Sequence, residues 1–531
     1  MNNPAESIFP QPLVDAFLRQ PGLPAFEFRS QSVTRADVLG LVRHGVANLR
    51  AAGLGPGSAV AITTAVTPSG FAAQIAAHLL GCRVTGLRPG LTPGQLAHVL
   101  GGGGEGGEHG GNTTDATEAT EGTNARDADV VIADASTVTP ALTAAAGPAP
   151  VLDVDRDVLA PRAPLAGDEL TPRGRPDDVA LITLTSGSTG HPKGCAQTYR
   201  ALSGHLTWQP APRGALGELA AGYRRFLVFG TLTSAVMLEQ LALCLLSDGT
   251  AVIPAPPLSF PQVWERYGVT GCLSTVPRLY QVLDTLRTDP VDTGSLRALV
   301  VAGSPLPPHK LAEAVDRLGP VVYHGYGQSE TGMLSLLTPR ELAERREQVL
   351  DSVGRPLSGV TVSVRDPAGR PLPAGIAGEI WVRAAGVMSG YWRDEEQTRE
   401  VVRDGWIRTR DLGTLGDDGC LRLVGRARDV IFVNAILYYA GAIEAALTAH
   451  PDVDQAYVVG APDERTGEAA HAFVVPVTGR TPAADALRAA VRDELGEGAV
   501  PATVTVLDAV PVAPSGKPDR KALLALVRAD G

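Results

Sequence analysis

Cysteine is scarce in this chain: five in 531 residues, at positions 82, 195, 244, 272 and 420, with no Cys-x-x-Cys pair. An odd, scattered set argues against a disulfide framework or a structural zinc site and favours a reducing compartment. A basic excess is missing too. The 46 Lys and Arg are outnumbered by 57 Asp and Glu, for a formal net charge of −11, so no nucleic-acid partner held by a global basic field is expected. Long apolar runs are also lacking. A membrane-spanning helix needs about 20 apolar residues, and the best candidate, Ala235 to Leu246, is short and interrupted by Glu239 and Gln240. The opening Met1-Asn-Asn-Pro-Ala-Glu6 has neither the basic nor the apolar region of a secretory leader. A cytoplasmic protein without a membrane span is therefore expected. What is present, 44% hydrophobic and 19% charged residues, is ordinary for a soluble globular enzyme. The length calls for two or more domains.

Hydrophobic patterning outlines those domains. Ala36 to Arg43 has helical spacing, Ala59 to Thr63 reads as a strand, and Ala72 to Leu80 as an apolar helix. Gly101 to Ala128 is low in complexity, a glycine run followed by a Thr/Glu/Ala/Asn mixture. It has too few large apolar side chains to offset chain entropy, so a flexible surface insertion is expected there. Short apolar strands then alternate with helices at Asp129–Ala133, Val179–Leu184, Phe226–Phe229, Gly249–Ile253 and Leu299–Ala302, which predicts a layered α/β fold with largely parallel strands. From Val360 the strands are punctuated by Gly and Pro (Val362–Arg365, Glu379–Arg383), predicting a small β-rich subdomain. Beyond Gly425 a short α/β unit follows. It has a strand at Ala472–Val475 and a helix whose Leu487, Val491 and Leu495 recur every four residues.

The most informative segment is Leu181-Ile-Thr-Leu-Thr-Ser-Gly-Ser-Thr-Gly-His-Pro-Lys-Gly194. An apolar strand empties into a loop of small hydroxyl and glycine residues ending in a lysine. Such a loop lets backbone N–H groups and hydroxyls approach phosphate oxygens, and Lys193 can neutralise their charge. It is not a Walker loop, because no Gly-Lys-Ser/Thr follows a glycine at the required spacing. On spacing alone it could also be plain turn chemistry.

The whole string resembles the phosphate-binding signature of the adenylate-forming superfamily, which includes acyl-CoA synthetases, adenylation domains of peptide synthetases and firefly-type luciferases. Five further segments resemble the superfamily pattern in the expected order, and the likeness spans roughly residues 30–525. The resemblance implies that Thr185, Ser186, Gly187, Ser188, Thr189, Gly190 and Lys193 cradle the phosphates. Val301-Ala-Gly-Ser-Pro-Leu306 resembles the turn against adenine, with Gly303 and Ser304 beside the base. In His324-Gly-Tyr-Gly-Gln-Ser-Glu-Thr331, Tyr326 would stack on adenine and Ser329, in place of the usual threonine, would hold the α-phosphate. Glu330 would bind Mg²⁺, since a carboxylate beside phosphates needs a cation between them. Gly325 and Gly327 complete that segment. In Trp406-Ile-Arg-Thr-Arg-Asp-Leu-Gly413, Asp411 would accept hydrogen bonds from the ribose hydroxyls, and Arg410 replaces the usual glycine. Arg426 would contact ribose or phosphate, and Arg428 occupies the hinge position. Lys517, in Pro514-Ser-Gly-Lys-Pro-Asp-Arg-Lys521, would reach the carboxylate and the α-phosphate.

The implied architecture is an AMP-binding domain over 1–427 and a mobile α+β domain over 428–531 carrying the catalytic Lys517. The implied reaction uses ATP and Mg²⁺ to convert a carboxylic acid to an acyl-AMP, with Lys193, Glu330 and Lys517 as catalytic groups. The acid pocket would be formed by Phe229, Thr231, Thr233, Ser234, Gly303, His324, Gly325 and Gly327. No aspartate lies between Phe226 and Leu238 to pair an α-ammonium, so an aromatic or unsaturated acid is expected rather than an amino acid. Transfer to CoA would complete the reaction. The alternatives are an amine giving an amide, a carrier-protein thiol, nitrite, or a non-catalytic nucleotide-binding relative; a homodimer is one allowed assembly. The acceptor is open because the segment after the hinge departs from its relatives. Phe432 stands for lysine, Ala435 for glycine, Ala440 for proline and Ala442 for glutamate.

Overall fold

The computed structural model describes residues 8–101, 128–162, 170–185, 192–426, 429–434, 436–463, 465–513 and 517–529. The chain divides into two compact units. The first comprises residues 1–258, 269–271 and 385–399, and the second residues 259–268, 272–384 and 400–531.

The first unit is built on a seven-stranded sheet in the order Gly390–Tyr391, Lys193–Thr198, Val179–Thr185, Arg83–Gly86, Ala59–Thr63, Val130–Ala133, Val151–Asp153. Its five last-named strands run parallel, and Lys193–Thr198 is antiparallel to Val179–Thr185. All five residues of Ala59–Thr63 are buried. Burial on both faces is why such strands read as unbroken apolar runs. Helix Pro68–Leu79 is buried at every position but Ser69, because its alanines permit close packing. Helix Arg35–Ala51 opens with a capping box in which the Thr34 and Asp37 side chains each accept the other's backbone N–H. A second group of strands, Arg225–Leu227, Thr250–Ile253 and Pro24–Phe28, is parallel, with Gln31–Thr34 antiparallel at its edge.

The second unit carries strand Gly271–Thr275 from Cys272 on, then Ala298–Ala302, Val322–Gln328, Gly332–Leu337 and Arg355–Pro356 in that order. Pairing is parallel between Ala298–Ala302 and Val322–Gln328 and antiparallel beyond. The expected β-rich region is present as Thr361–Arg365, Gly378–Arg383, Trp406–Leu415, Val402–Arg403 and Leu421–Arg426, all antiparallel. The C-terminal segment forms its own five-stranded sheet from Val430–Val433, Ile436–Tyr439, Val453–Asp463, Gly467–Pro476 and Thr503–Val506. Helices Ala440–Thr448 and Ala484–Leu495 bury Ile443, Leu447, Leu487 and Val491 in a core with Val458, Ala472 and Val474.

Two sequence expectations need adjusting. The strand expected over Phe226–Phe229 spans Arg225–Leu227, because the chain turns at Gly230 with a φ of +80°. Of the expected insertion over 101–128, residues 102–127 lie outside the described residues. Its two ends belong to the fold: Gly101 caps helix Pro93–Leu100, and Ala128 is buried in the core beside Ala61 and Val131.

Candidate active site

In the first unit, strand Val179–Thr185 pairs antiparallel with Lys193–Thr198, in even register from Leu181 on, so that Thr185 lies opposite Lys193. The Thr185 hydroxyl donates to the Lys193 carbonyl at 3.4 Å. Two antiparallel strands thus hold the ends of the phosphate-loop segment together. Ser186, Gly187, Ser188, Thr189 and Gly190, assigned to that loop, lie outside the described residues. The Lys193 ammonium donates to Gln397 Oε1 and lies 5.5 Å from the centre of the Tyr391 ring. Gly194 has no room for a side chain, since a Cβ there would stand 2.7 Å from Ile182 Cγ2.

Of the expected acid-pocket residues in this unit, Thr231 and Thr233 share a hydroxyl–hydroxyl contact at 2.9 Å, and Thr233 N–H donates to Thr231 Oγ1 at 3.1 Å. Ser234 caps helix Ala235–Leu246 by accepting from Met237 N–H. Phe229 lies two residues beyond the end of strand Arg225–Leu227, before the turn at Gly230. Apart from the apolar Phe229, these positions carry neutral polar side chains. The first acidic group on the helix, Glu239, is buried and faces His205 Nε2 at 3.4 Å.

In the second unit, strand Ala298–Ala302 ends at Gly303, whose φ of +98° is a left-handed conformation that only glycine adopts without strain. Ser304 continues the turn, half-buried. A Cβ on Gly303 would come no nearer than 3.9 Å to any atom, and the atom it meets is Lys517 Cε. The sequence's last motif and its adenine-turn motif are therefore adjacent in space.

Strand Val322–Gln328 brings two groups to Asp411, and strand Leu421–Arg426 brings a third. Tyr326 Oη donates to Asp411 Oδ2 at 2.8 Å, Gln328 Nε2 donates to the same oxygen, and Arg426 Nε lies 3.2 Å from Asp411 Oδ1. Asp411 and Arg426 are cross-strand partners in the sheet register. Burial, followed by the Asp411 charge, pushes the Tyr326 hydroxyl well above its ordinary range, so it stays protonated and donating. Thr409 locks the turn from below: its Oγ1 accepts from Asp411 N–H at 3.1 Å and donates to Ile380 O at 2.8 Å. A carboxylate held by this many donors is fixed in place, as recognition of a diol requires. Arg410, at the position where the resemblance leads one to expect glycine, has a φ of +58°, and its guanidinium pairs with Glu400. The left-handed backbone gives the physical reason for glycine there.

Ser329 and Glu330 occupy the turn between Val322–Gln328 and Gly332–Leu337. His324 is buried, with Nδ1 3.1 Å from Ser352 O, and burial lowers its pKa to about 4. Its ring is neutral and tied to backbone. The glycines differ in what they permit. A side chain at Gly325 would contact Leu336, Val300 and Met333, whereas one at Gly327 would strike Gly332 O at 2.3 Å. At 327, glycine serves close hairpin pairing rather than an open pocket.

Lys517 as a residue is solvent-accessible, yet protein atoms crowd its ammonium. That desolvation, followed by the nearby Arg426 charge, lowers its pKa, against the opposing pull of Glu330 and Asp411. Lys517, Arg426, Glu330 and Asp411 thus form one electrostatic group with Gly303 beside it. Arg428 lies outside the described residues. Sequence reasoning did not single out Gln328, Thr409 or Gln397. Gln328 falls at the variable position of its motif, and Gln397 is distant in sequence from Lys193, so neither carried a local signal.

These features define a class, the acid-activating, AMP-forming ligases. Residues 14–392 match the AMP-binding enzyme family and residues 442–517 the AMP-binding enzyme C-terminal domain, and the chain belongs to this family. Feruloyl-CoA synthase from Amycolatopsis sp. is 36% identical over 346 residues, covering 64% of this chain and 68% of that protein. The solved amide bond synthetase McbA from Marinactinospora thermotolerans superposes with a TM-score of 0.81 at 33% identity, covering 97% of this chain and 99% of that one. O-succinylbenzoate coenzyme A synthetase (MenE) from Bacillus subtilis, solved with ATP and magnesium ion, shares the fold at a TM-score of 0.76 and 24% identity. It covers 97% and 99% of the two chains. Among the described residues no helix is long and apolar enough to cross a membrane.

Proposed function

We propose that this ligase activates an aromatic or unsaturated carboxylic acid and transfers the acyl group to CoA. A carboxylate oxygen attacks the α-phosphorus of ATP, the bond to the β-phosphate oxygen breaks, and pyrophosphate leaves, giving the acyl-AMP. The CoA sulfur then attacks the acyl carbon, AMP departs, and the thiol proton passes to solvent. Lys517 would pair with both the attacking carboxylate and the α-phosphate, aligning them and offsetting their repulsion. Lys193 and the Ser186–Gly190 loop would stabilise charge on the departing pyrophosphate. Asp411, held by Tyr326, Gln328 and Arg426, would grip the ribose hydroxyls. Ser329 would contact the α-phosphate.

Glu330 would hold Mg²⁺, which supplies electrostatic neutralisation of the phosphates when bound. Among the described residues no group of three or more His, Cys, Asp or Glu is arranged for a metal. That fits an ion held by one carboxylate and substrate phosphates rather than by a protein cage. The observation that carries the reading is Lys517 beside Gly303 within the charge group of Arg426, Glu330 and Asp411. The acid class is supported by the neutral Thr231 and Thr233 side chains and by the likeness to a feruloyl-CoA synthase. Residues 1–427 and 428–531 would act as two domains, with Arg428 at the hinge.

Amide formation with an amine acceptor is the second reading. It is favoured by the similarity to an amide bond synthetase over nearly the whole chain. The departures at Phe432, Ala440 and Ala442 point the same way, and Phe432 presents an exposed ring where relatives have lysine. Acid-dependent exchange of pyrophosphate into ATP tests the first step, and no exchange with any acid of a broad panel defeats it. Supplying CoA or an amine to the charged enzyme then decides between thioester and amide.

A further inference from the structure

The chain has only four lysines, Lys193, Lys310, Lys517 and Lys521, among its 46 basic residues. Arginine is its default cation. Lys193 and Lys517 belong to the proposed reaction, and Lys521 is exposed. Lys310 is different: it is fully buried, on helix Pro308–Leu318, and no step described above uses it.

The Lys310 ammonium pairs with Asp454 in strand Val453–Asp463 of the C-terminal segment, where Asp454 is itself 8% exposed. It also lies 3.7 Å from Glu313 and 5.1 Å from the centre of the Tyr280 ring. Arg287 joins the cluster, 2.6 Å from Glu313 and 3.8 Å from Asp454, and Arg317 lies 2.9 Å from Glu313. Asp454 is the one member contributed by residues beyond 428. Without it, the carboxylate left to the buried Lys310 ammonium among the described residues is the more distant Glu313, which two arginines already engage. A buried charge deprived of its partner is costly, so the cluster favours the arrangement in which Asp454 is seated.

The same stretch of chain makes the second contact. Helix Pro308–Leu318 starts five residues after Gly303, the turn that faces Lys517 Cε. Residues 298–318 therefore meet the C-terminal segment twice, at Asp454 through Lys310 and at Lys517 through Gly303. We propose that Lys310 and Asp454 are a positioning pair, seating the C-terminal segment so that Lys517 stands at the Gly303 turn during acyl-AMP formation. Neither touches a reacting atom. The inference deepens the adenylation reading and rests on it.

The test separates the half-reactions in the full-length chain. The acid is the one giving the largest wild-type pyrophosphate exchange from a panel of aromatic, unsaturated and fatty acids. Asp454→Asn and Lys310→Met are compared with wild type in that exchange, and in AMP release from the corresponding synthetic acyl-adenylate with CoA or an amine. The expected result is exchange lowered about 10- to 100-fold, with the KM for ATP changed less than about threefold. Release from the supplied acyl-adenylate should stay within about twofold of wild type. Wild-type exchange in folded variants, or equal losses in both half-reactions, overturns the positioning role. If Asp454→Asn does not fold, Lys310→Met carries the test, its folding checked by circular dichroism. If the wild-type chain shows no exchange with any acid while folded, the adenylation reading fails and this proposal with it.

Discussion

Lys517 combines proximity to the Gly303 turn with a lowered pKa, caused first by desolvation and then by Arg426. Removal of one preorganised charge typically costs about 10²–10³ in rate. Lys517→Ala is accordingly expected to lose pyrophosphate exchange by that order while ATP affinity, measured by calorimetry, stays close to wild type. Wild-type exchange in this variant would remove Lys517 from the mechanism. The pKa direction gives a second expectation. The lysine acts as a cation, so exchange should fall as pH rises through its pKa, and this should happen below the ordinary lysine value of 10.5. Removing the positive neighbour with Arg426→Gln should move that alkaline limb upward, whatever it does to the rate itself. A limb that stays put or moves down would assign the titration to another group.

At the scale of elements, two capping boxes with the same chemistry differ in exposure. Thr34 and Asp37 close helix Arg35–Ala51 near the surface, while Thr338 and Glu341 close helix Pro339–Val349 in the interior. Loss of a capping oxygen costs about 0.5–2 kcal/mol, and an interior N–H left without a partner falls at the upper end. Thr338→Ala should therefore lower the unfolding midpoint in urea more than Thr34→Ala, and equal shifts would show that water reaches the Thr338 cap. Elements were also the most legible scale in the sequence. Ala59–Thr63 and Val179–Thr185 announce themselves as buried strands, and Leu487 and Val491 mark one helix face. The motif residues Tyr326, Asp411 and Arg426 were legible singly, but their union in one hydrogen-bonded group depends on sheet register across about 100 residues of chain. The Gln328 and Thr409 contacts were invisible for the same reason, because sequence spacing is silent about which strands become neighbours. The Lys310–Asp454 pair lies further still from any local pattern.

For the molecule as a whole, acid sensitivity follows from histidines buried in both units. Burial lowers the pKa of His78 to about 3 and that of His324 to about 4, from an ordinary value of 6.5. Between those values and 6.5 the unfolded chain binds protons that the folded chain refuses. Stability is therefore complete above about pH 6.5 and is lost progressively as pH falls toward 4. Each histidine contributes a slope of about 1.4 kcal/mol per pH unit in that window. The half-buried carboxylate Glu313, held down to about 2 against its desolvation by Arg287 and Arg317, protects stability above its unfolded pKa near 4.5 and loses that contribution only below it. The two effects occupy different windows, so a decline that begins between pH 6.5 and 5 belongs to the histidines. Thermal unfolding followed at half-unit steps from pH 7.5 to 5 should show a falling midpoint. His324→Asn, which keeps a donor for the Ser352 carbonyl but cannot take up a proton, should flatten the decline by one histidine's share. A midpoint constant from pH 7 to 5 would mean that protons reach these rings in the folded state and that their burial is not maintained in solution.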